Sequence, residues 1–260
     1  MGTDLASEET VRFAAGNYRY LPGVFQYSAG VVAEPGHRIV RARFDRPVPL
    51  AEAYPVVEFL LAGNDRPPTA LCACELRSPA PFTEAGFRAF NEAYALQLEA
   101  WGLLATGANP VARSNVCPAV DPPAVPSMHA FCFTVPEAAA EARADFVVAG
   151  SGEAAEGKAS YEEAIVALGD VSPDGMAAKA AFVLGEMERR LAGLGAAWAD
   201  CSAVQLYTVH DAYPVLAGEI AARRAWGDGL AWHWCRPPVE GIEFEMDCRR
   251  VGSEVLLSGS

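Results

Sequence analysis

The sequence is organised around the stretch Gly86–Tyr94, GFRAFNEAY, and the stretch Val111–Cys117, VARSNVC, which follows it. Apolar residues recur at helical spacing in the first stretch after Thr83, a residue type that favours a helix N-cap. The second stretch is typical of a buried strand. The same order recurs in the second half, where Asp211–Leu216 predicts a helix and Leu230–Arg236 predicts a strand. The chain therefore reads as two related halves.

Working outward from these stretches, strands and helices alternate in both halves. Strands are predicted at 25–32, 38–44, 69–76, 111–117, 128–135, 144–150, 164–168, 203–209, 230–235 and 242–248. Helices are predicted at 49–63, 83–101, 173–194 and 213–226. The last two strands are expected to pair as a hairpin through Pro237–Gly241.

An Ala/Glu-rich connector at 136–143 suggests a boundary between an N-terminal domain, 1–136, and a C-terminal domain, 137–260. The order of elements predicts an α+β fold in which each half forms a mixed sheet with two helices packed on one face. The chain has 260 residues, of which 52% are apolar, and this is enough to bury a core in either one large or two smaller domains.

Charge and composition exclude several classes of function. The formal net charge of −13 argues against nucleic-acid binding, which needs a basic surface. No apolar stretch is long enough to span a bilayer, and the polar start Met1–Asp4 does not resemble a signal peptide. The seven cysteines, an odd number in mostly apolar runs, indicate reduced thiols and a cytoplasmic protein.

Neither a metal nor a nucleotide cofactor is expected. Cys72 and Cys74 are more simply two side chains on one strand face, because no further ligands follow at metal-binding spacing. Glycine-rich phosphate-binding motifs are also absent from the sequence.

Both halves resemble the RidA/YjgF family of enamine/imine deaminases. In the first half the matching pieces are 16–18, GNY, 27–30, YSAG, the helix 87–94 and 112–114, ARS. In the second half they are 194–196, LGA, 205–211, QLYTVHD, and 242–245, IEFE. The resemblance implies tandem chorismate-mutase-like domains and a homo-oligomer, namely a trimer of two-domain chains. It also implies active sites in clefts between neighbouring domains.

The resemblance assigns binding roles in the first half. Arg113 takes the position of the arginine that holds the substrate carboxylate, with Ser114 beside it. Tyr18, Gly30 and Asn91 take positions that shape the pocket. The serine that precedes the glycine in the family is Ala29 in this chain, which is a departure from the pattern.

The catalytic glutamate of the family maps to the second half. Glu243 takes its position, and no glutamate stands at the matching place in the first half, where His129 is an alternative base. In the second half Trp232 replaces the arginine. Because neither half has the complete pair, we expect Arg113 and Glu243 to share one cleft.

Further candidates come from the residues themselves. Glu245 lies two residues after Glu243, so both are expected on one strand face, where neighbouring carboxylates can raise each other's pKa. The alternative is a solvated acidic edge strand, which Asp247 would extend. Trp232 and Trp234 also alternate and predict either an aromatic wall of the cleft or an interface, and Arg236 is a second candidate for carboxylate binding.

The predicted function is hydrolytic deamination of an enamine or imine carboxylic acid, aromatic-derived or larger than 2-iminopropionate. The expected partner is therefore a small-molecule carboxylate. Two alternatives remain at this point. One is chorismatase-like hydrolysis or lyase chemistry on a cyclic enol-bearing carboxylate, and the other is a non-catalytic ligand-binding protein. The endoribonuclease activity attributed to some relatives does not suit the acidic charge.

Overall fold

The computed structural model describes residues 9–105, 107–137 and 143–258. The first half contains β1 (Val11–Phe13), β2 (Tyr18–Leu21), β3 (Gly30–Ala33), β4 (His37–Pro49), α1 (Leu50–Gly63), β5 (Leu71–Arg77), α2 (Glu84–Ala100), β6 (Ala112–Pro118) and β7 (Ser127–Pro136).

The second half contains β8 (Phe146–Gly152), α3 (Tyr161–Ala164), α4 (Pro173–Gly193), β9 (Ala203–Tyr207), α5, β10 (Leu230–His233), β11 (Cys235–Arg236), β12 (Glu245–Arg250) and β13 (Ser253–Leu257). We use α5 for the continuous helical segment formed by Tyr213–Val215, a π-helical turn at Leu216–Ile220, and Ala221–Arg223.

Two mixed sheets form the centre of the described structure. One has the order β1-β2-β3-β8-β12-β9-β10 and the other the order β11-β6-β5-β7-β4-β13. Most neighbouring strands are antiparallel, whereas β9–β10, β5–β6 and β4–β13 are parallel. Each sheet contains strands from both halves of the sequence, because β3 lies beside β8 and β13 lies beside β4. The expected α+β architecture is confirmed.

Helices cover the outer face of each sheet. Tyr94 and Leu98 of α2 share a core with β5 and β7, and α1 packs against β4 and β7. On the other sheet, Val183 and Met187 of α4 pack against β8 and β12. Apolar residues also lie between the sheets, where Tyr18, Val31 and Val147 belong to the same core as Leu71.

The inner faces of the two sheets meet across a more polar layer. Side chains alternate along β12, so Met246 packs towards α4 while Asp247 lies on the inner face. Within this layer Arg41 binds Glu75 of the same sheet with two charge-assisted hydrogen bonds of 2.6 and 2.7 Å. Arg249 lies 3.8 Å from the same carboxylate. A sequence pattern of apolar residues alone does not reveal this inter-sheet network.

The long helices begin and end as their sequences predict. The Thr83 hydroxyl oxygen accepts a hydrogen bond from Gly86 N at 3.1 Å at the start of α2. Ser172 caps α4 in the same manner, with a distance of 3.2 Å to Gly175 N. These caps satisfy amide groups that have no partner within the helix.

The predicted strand at 164–168 is wrong. Ser160 caps the single-turn helix α3 by accepting from Glu163 N at 3.3 Å, and Ile165 makes only an isolated bridge to Ala154. Ala167 then adopts a left-handed backbone with φ of 48°. A residue in this conformation interrupts an extended strand.

The predicted hairpin between 230–235 and 242–248 is also wrong. β10 pairs in parallel with β9, whereas β12 pairs with β8 and β9. Between them the chain crosses to the other sheet, where β11 pairs with β6. The Pro/Gly-rich segment Pro237–Gly241 therefore connects two sheets and does not close a hairpin. Strand β13 was not predicted from the sequence.

The first predicted strand is shorter than expected. Of 25–32, only the part from Gly30 onward belongs to β3, because Tyr27 closes a tight turn with Val24. Ser28 N then donates to Val111 O at 2.9 Å, which brings the start of β3 next to β6 of the other sheet. None of the helices in the described ranges is long and apolar enough to cross a membrane.

Candidate active site

A cavity of about 470 Å³ lies where α2 and β6 meet α3, the end of β8 and the start of β12. Its size suits a small organic molecule. Both halves of the sequence contribute to its lining, which includes Tyr27, Phe87, Arg113, Gly150, Tyr161, Arg190 and Glu245.

Arg113 is a buried cation on β6, with only 3% of its surface exposed. Its guanidinium carbon lies 5.0 Å from the ring centre of Tyr94, 5.2 Å from that of Tyr27 and 5.8 Å from that of Phe87. Phe90, at 5.6 Å, completes this group of rings. The three α2 residues share one helix face because they are three or four positions apart.

The aromatic surroundings leave Arg113 short of hydrogen-bond acceptors. Its Nη1 atom is buried and has no partner among the described residues. Burial lowers the pKa of Arg113, but a guanidinium remains charged at any working pH. A buried cation with an unused donor is suited to binding a carboxylate, which accepts two parallel hydrogen bonds from arginine.

Glu245 is the first residue of β12, and it lines the same cavity as Arg113. Burial raises the pKa of Glu245 well above its usual range, and the nearby carboxylates of Asp247 and Glu153 raise it further. Arg113 and Arg190 oppose this increase without cancelling it. The side chain therefore holds a proton more firmly than an ordinary glutamate, and it can donate that proton and afterwards accept one.

The position of Glu245 depends on two neighbours. A Cβ atom at Gly150 would overlap Glu245 Oε1, so only glycine leaves room for this side chain. The buried Glu153 carboxylate accepts hydrogen bonds from Glu243 N at 2.7 Å and Phe244 N at 3.0 Å. Lys179 Nζ lies 3.1 Å from the Glu153 carboxylate. Together these contacts fix the backbone immediately before Glu245.

Arg190, near the end of α4, is a second buried arginine of the cavity, with 3% of its surface exposed. Its Nη1 atom donates to the carbonyl oxygens of Ala149 and Gly150 at 3.2 and 3.3 Å. Nη2 makes a longer contact of 3.4 Å with Glu156, whose side chain is about half exposed. Arg190 Nε is buried without a partner in the described parts of the chain.

The remaining walls are largely aromatic and apolar. Tyr27 and Tyr161 have a raised pKa because both are buried, so both are neutral phenols. Phe87, Val239 and Ile242 form an apolar patch beside Tyr161. Such walls suit a flat, largely apolar part of a small molecule.

Of the residues that the sequence suggested, Arg113 and Glu245 line the cavity. Tyr18 lies in the hydrophobic core, where its hydroxyl donates to Leu71 O at 3.0 Å. Ala29 and Gly30 lie at the start of β3, where a Cβ at Gly30 would come within 2.9 Å of Leu194.

Two other predicted residues are buried next to the cavity lining. Ser114 follows Arg113 on β6, and its hydroxyl hydrogen-bonds to Asp247 on the facing sheet. Asn91 lies four positions after Phe87 on α2, and both of its side-chain polar atoms are buried without a partner among the described residues.

The structure does not bring Glu243 into the cavity lining with Arg113. Glu243 lies before β12 begins, so the expected alternation with Glu245 on one strand face is wrong. Its carboxylate lies 2.7 Å from His210 Nε2 and 3.3 Å from Arg236 Nη1. The arginine and the glutamate that the two halves contribute to one cavity are therefore Arg113 and Glu245.

Trp232 and Trp234 lie close together, as their alternation predicted. They lie at a different surface from the cavity, however. Their indole nitrogens donate to Thr208 O at 3.0 Å and to Val209 O at 3.1 Å. They border an open depression with His210 and do not line the cavity. The alternative base His129 also lies outside the lining, and burial lowers its pKa to about 3, so it is neutral.

Arg190 is not among the residues that the sequence suggested. It lies three positions after Met187 and seven after Val183, both on the buried side of α4. A charged residue on the apolar stripe of a helix is the signal that identifies such a group. Lys179 lies on the same stripe and was also missed.

The fold and the cavity together define an α+β protein with a site that suits a small anionic molecule and is lined by buried arginines and a glutamate with a raised pKa. The family model for the 2-aminomuconate deaminase CnbZ matches residues 10–255. A 2-amino-5-chloromuconate deaminase from Comamonas testosteroni is 51% identical over 249 residues, which cover 96% of this chain and 99% of the relative. The chain belongs to the 2-aminomuconate deaminase CnbZ family, so the expected kinship with enamine deaminases is confirmed.

Two solved structures are similar to parts of this chain at low sequence identity. A chorismatase crystal structure is 14% identical, with coverage of 85% of this chain and 77% of the other and a TM-score of 0.48. The YjgF gene product from E. coli is 15% identical, with coverage of 52% and 92% and a TM-score of 0.32.

Proposed function

We propose that this protein is a hydrolase that releases ammonia from an enamine dicarboxylate of the 2-aminomuconate type. The observation that carries the proposal is that Arg113, a buried cation with an unused donor, and Glu245, a buried acid with a raised pKa, line one cavity in a member of this family. The substrate would be a flat six-carbon chain with an amino group next to one carboxylate.

Arg113 binds the carboxylate next to the amino group. The protonated Glu245 donates its proton to the carbon two bonds from nitrogen, which converts the C(NH₂)=CH unit into an iminium, C(=NH₂⁺)–CH₂. The electron pair of the carbon–carbon double bond forms the new C–H bond. The iminium carbon is now electrophilic, and Glu245 is left as a carboxylate beside it.

Water then adds to the iminium carbon while Glu245 accepts its proton. The resulting carbinolamine takes this proton on nitrogen and expels ammonia, and the hydroxyl proton passes to the Glu245 carboxylate as the carbonyl forms. The net reaction is R–C(NH₂)=CH–R′ plus H₂O giving R–CO–CH₂–R′ plus NH₃. Glu245 ends protonated and ready for the next cycle, so the step needs no external acid.

We expect Glu245→Gln to lower kcat about 100-fold or more, since the amide can neither donate nor accept the transferred proton. Arg113→Lys keeps the positive charge but loses the bidentate hydrogen bonds to the substrate carboxylate, and we expect the KM of this variant to rise about tenfold. The measurement follows the loss of dienamine absorbance and the release of ammonia from freshly prepared 2-aminomuconate.

Glu92→Gln and Arg223→Lys are matched controls, because Glu92 is exposed on α2 and Arg223 binds Glu188 at the surface. Both should retain wild-type kinetics. Wild-type protein that does not exceed the uncatalysed rate would contradict the deaminase proposal. A ligand-dependent rise in Tm without turnover would instead favour a binding protein.

We extend the proposal to assembly and location. The seven cysteines are buried free thiols, which supports a reducing compartment and hence the cytoplasm. A homotrimer is proposed from the resemblance to trimeric deaminases. The exposed aromatic side chains of Tyr213 and Trp234 support an oligomer, since such groups are enriched at interfaces. Light scattering coupled to size-exclusion chromatography tests this directly.

We also propose that the halves 1–136 and 137–260 arose by tandem duplication. The support is the repeated order of a long capped helix followed by strands, with Thr83 capping α2 and Ser172 capping α4. In this interpretation the first copy supplies Arg113 and the second supplies Glu245. The two copies then contribute different groups to one site.

A further inference from the structure

Two buried arginines line the cavity, whereas the deamination chemistry described above uses only one. Arg113 enters from β6 in the first half, and Arg190 enters from α4 in the second half. Both influence the same groups, because each favours the ionised forms of Tyr27 and Glu245. Both cations therefore act on the same small volume.

The hydrogen bonds of Arg190 leave one edge of its guanidinium available. Nη1 donates to Ala149 O and Gly150 O, which holds the plane of the group in place. Nε has no partner among the described residues, and Nη2 has only the 3.4 Å contact with Glu156. Nε and Nη2 are the two donors that bind a carboxylate side-on. A carboxylate that displaces Glu156 would satisfy both of them.

The charges of the lining favour a dianion even though the whole chain carries a net charge of −13. The basic lining residues are Arg88, Arg113, Lys158 and Arg190, and the acidic ones are Glu84, Glu156 and Glu245. The basic residues outnumber the acidic ones, and the raised pKa of Glu245 further reduces the negative charge of the lining. The cavity is therefore positive within an acidic protein and attracts small anions.

We propose that Arg190 is a specificity-determining residue that binds the carboxylate at the far end of the substrate from the amino group, with Glu156 as the internal anion that this carboxylate displaces. The proposal rests on the proposed deaminase function and deepens it. Arg113 and Arg190 would hold the two ends of the chain, and Glu245 would act between them. Substrates with a single carboxylate would leave Arg190 on Glu156 and bind more weakly.

The experiment compares 2-aminomuconate with its methyl ester at the far carboxylate, which lacks only that charge. We expect wild-type protein to prefer the diacid by about 10- to 100-fold in kcat/KM, as for a lost charged hydrogen bond. Arg190→Gln should lose this preference, mainly through a higher KM for the diacid, and should treat the ester like wild-type protein.

Glu156→Gln provides a second measurement that does not disturb the contacts of Arg190 with β8. With the competing anion removed, KM for the diacid should fall while KM for the ester stays constant. If Arg190→Gln does not fold, as judged by circular dichroism, this variant decides the question. An unchanged KM for the diacid in Glu156→Gln would overturn the proposal.

The outcomes separate the two proposals. If wild-type protein turns over neither compound, the deaminase function itself fails. If it turns over both equally well, or if Arg190→Gln slows both to the same extent, the deaminase function stands and the role of Arg190 is refuted. Arg223→Lys, which alters a surface arginine that contacts Glu188, serves as the folding control.

Discussion

At the scale of single residues, the raised pKa of Glu245 makes it a useful acid but also lowers the stability of the folded protein when the group ionises. Its pKa is raised in the folded protein because of burial and the neighbouring Asp247 and Glu153. The folded protein therefore resists ionisation of this group more than the unfolded chain does. The contribution of Glu245 to stability is complete below the ordinary glutamate pKa and is lost as pH rises through its folded-state pKa.

Glu245→Gln should therefore stabilise the protein against unfolding increasingly as pH rises. The glutamine has no charge to bury, so the Tm difference between variant and wild type should grow between about pH 5 and pH 8. Thermal unfolding at several pH values measures this difference. Asp247 and Glu153 are present in both wild type and variant, so the comparison isolates Glu245. The control Glu92→Gln should show a Tm difference that does not change with pH. A Tm difference that does not change with pH would contradict the raised pKa of Glu245.

The residue scale also explains why the glutamate position was difficult to predict. Glu243 and Glu245 are two positions apart, and residues with this spacing share one face of a strand. Both were therefore predicted to lie on the same face. The strand begins only at Glu245, because Glu153 binds the amide groups of Glu243 and Phe244 and holds that segment out of the sheet. A glutamate that is distant in sequence thus determines which of the two enters the cavity.

At the scale of elements, the long helices could be predicted from local sequence, whereas the pairing and connections of the strands could not. The helix α2 needs only its Thr83 cap and the periodic apolar residues Phe87, Tyr94 and Leu98, all within one segment. The strand β10 has a typical strand pattern, but its parallel partner β9 and the crossing to β6 are set by tertiary contacts. The short range of these patterns explains why the hairpin prediction was wrong.

The α2 cap supports the aromatic surroundings of Arg113. Thr83→Ala removes the acceptor for Gly86 N, and we expect a loss of about 0.5–2 kcal/mol in the free energy of unfolding, since the amide is left without a partner. Phe87 lies in the first turn after this cap and contacts Arg113, so KM should also rise. Urea denaturation and steady-state kinetics measure the two effects.

Ser172→Ala is the matched control, since Ser172 caps α4 in the same manner at the end of the helix opposite to Arg190. It should lose a similar amount of stability with little change in KM. Thr83→Ser should restore both properties because serine is an equally good cap. Equal changes of KM in Thr83→Ala and Ser172→Ala would show that the effect of Thr83 on KM is not specific to the site.

At the scale of the whole molecule, buried charges join the two sheets. Arg41 on β4 binds Glu75 on β5 and also Glu254 on β13 at 2.6 Å, while Arg249 on β12 approaches Glu75 from the other sheet. Burial opposes ionisation of Glu75, but Arg249 and Arg41 outweigh it and hold the pKa of Glu75 well below its usual range. The elements joined in this way come from both halves of the sequence.

The two carboxylates bound to Arg41 differ in burial, and their removal should therefore differ in effect. The Glu75 side chain is 9% exposed, and Glu75→Gln removes the buried counter-charge that Arg41 and Arg249 share, so we expect a loss of about 3–5 kcal/mol. The Glu254 side chain is 45% exposed and solvent screens its charge, so Glu254→Gln should lose less than about 1 kcal/mol.

Urea denaturation at pH 7 measures both losses, and the pH dependence provides a further check. A carboxylate with a lowered pKa contributes stability that is present above the ordinary glutamate pKa and is lost only as pH falls towards its folded-state value. The difference between wild type and Glu75→Gln should therefore stay constant from about pH 5 to pH 8 and shrink below about pH 4. This is the opposite direction to Glu245→Gln, whose effect grows with pH.

Similar losses for Glu75→Gln and Glu254→Gln would refute the idea that the buried inter-sheet charges hold the two halves together, because exposure would then make no difference.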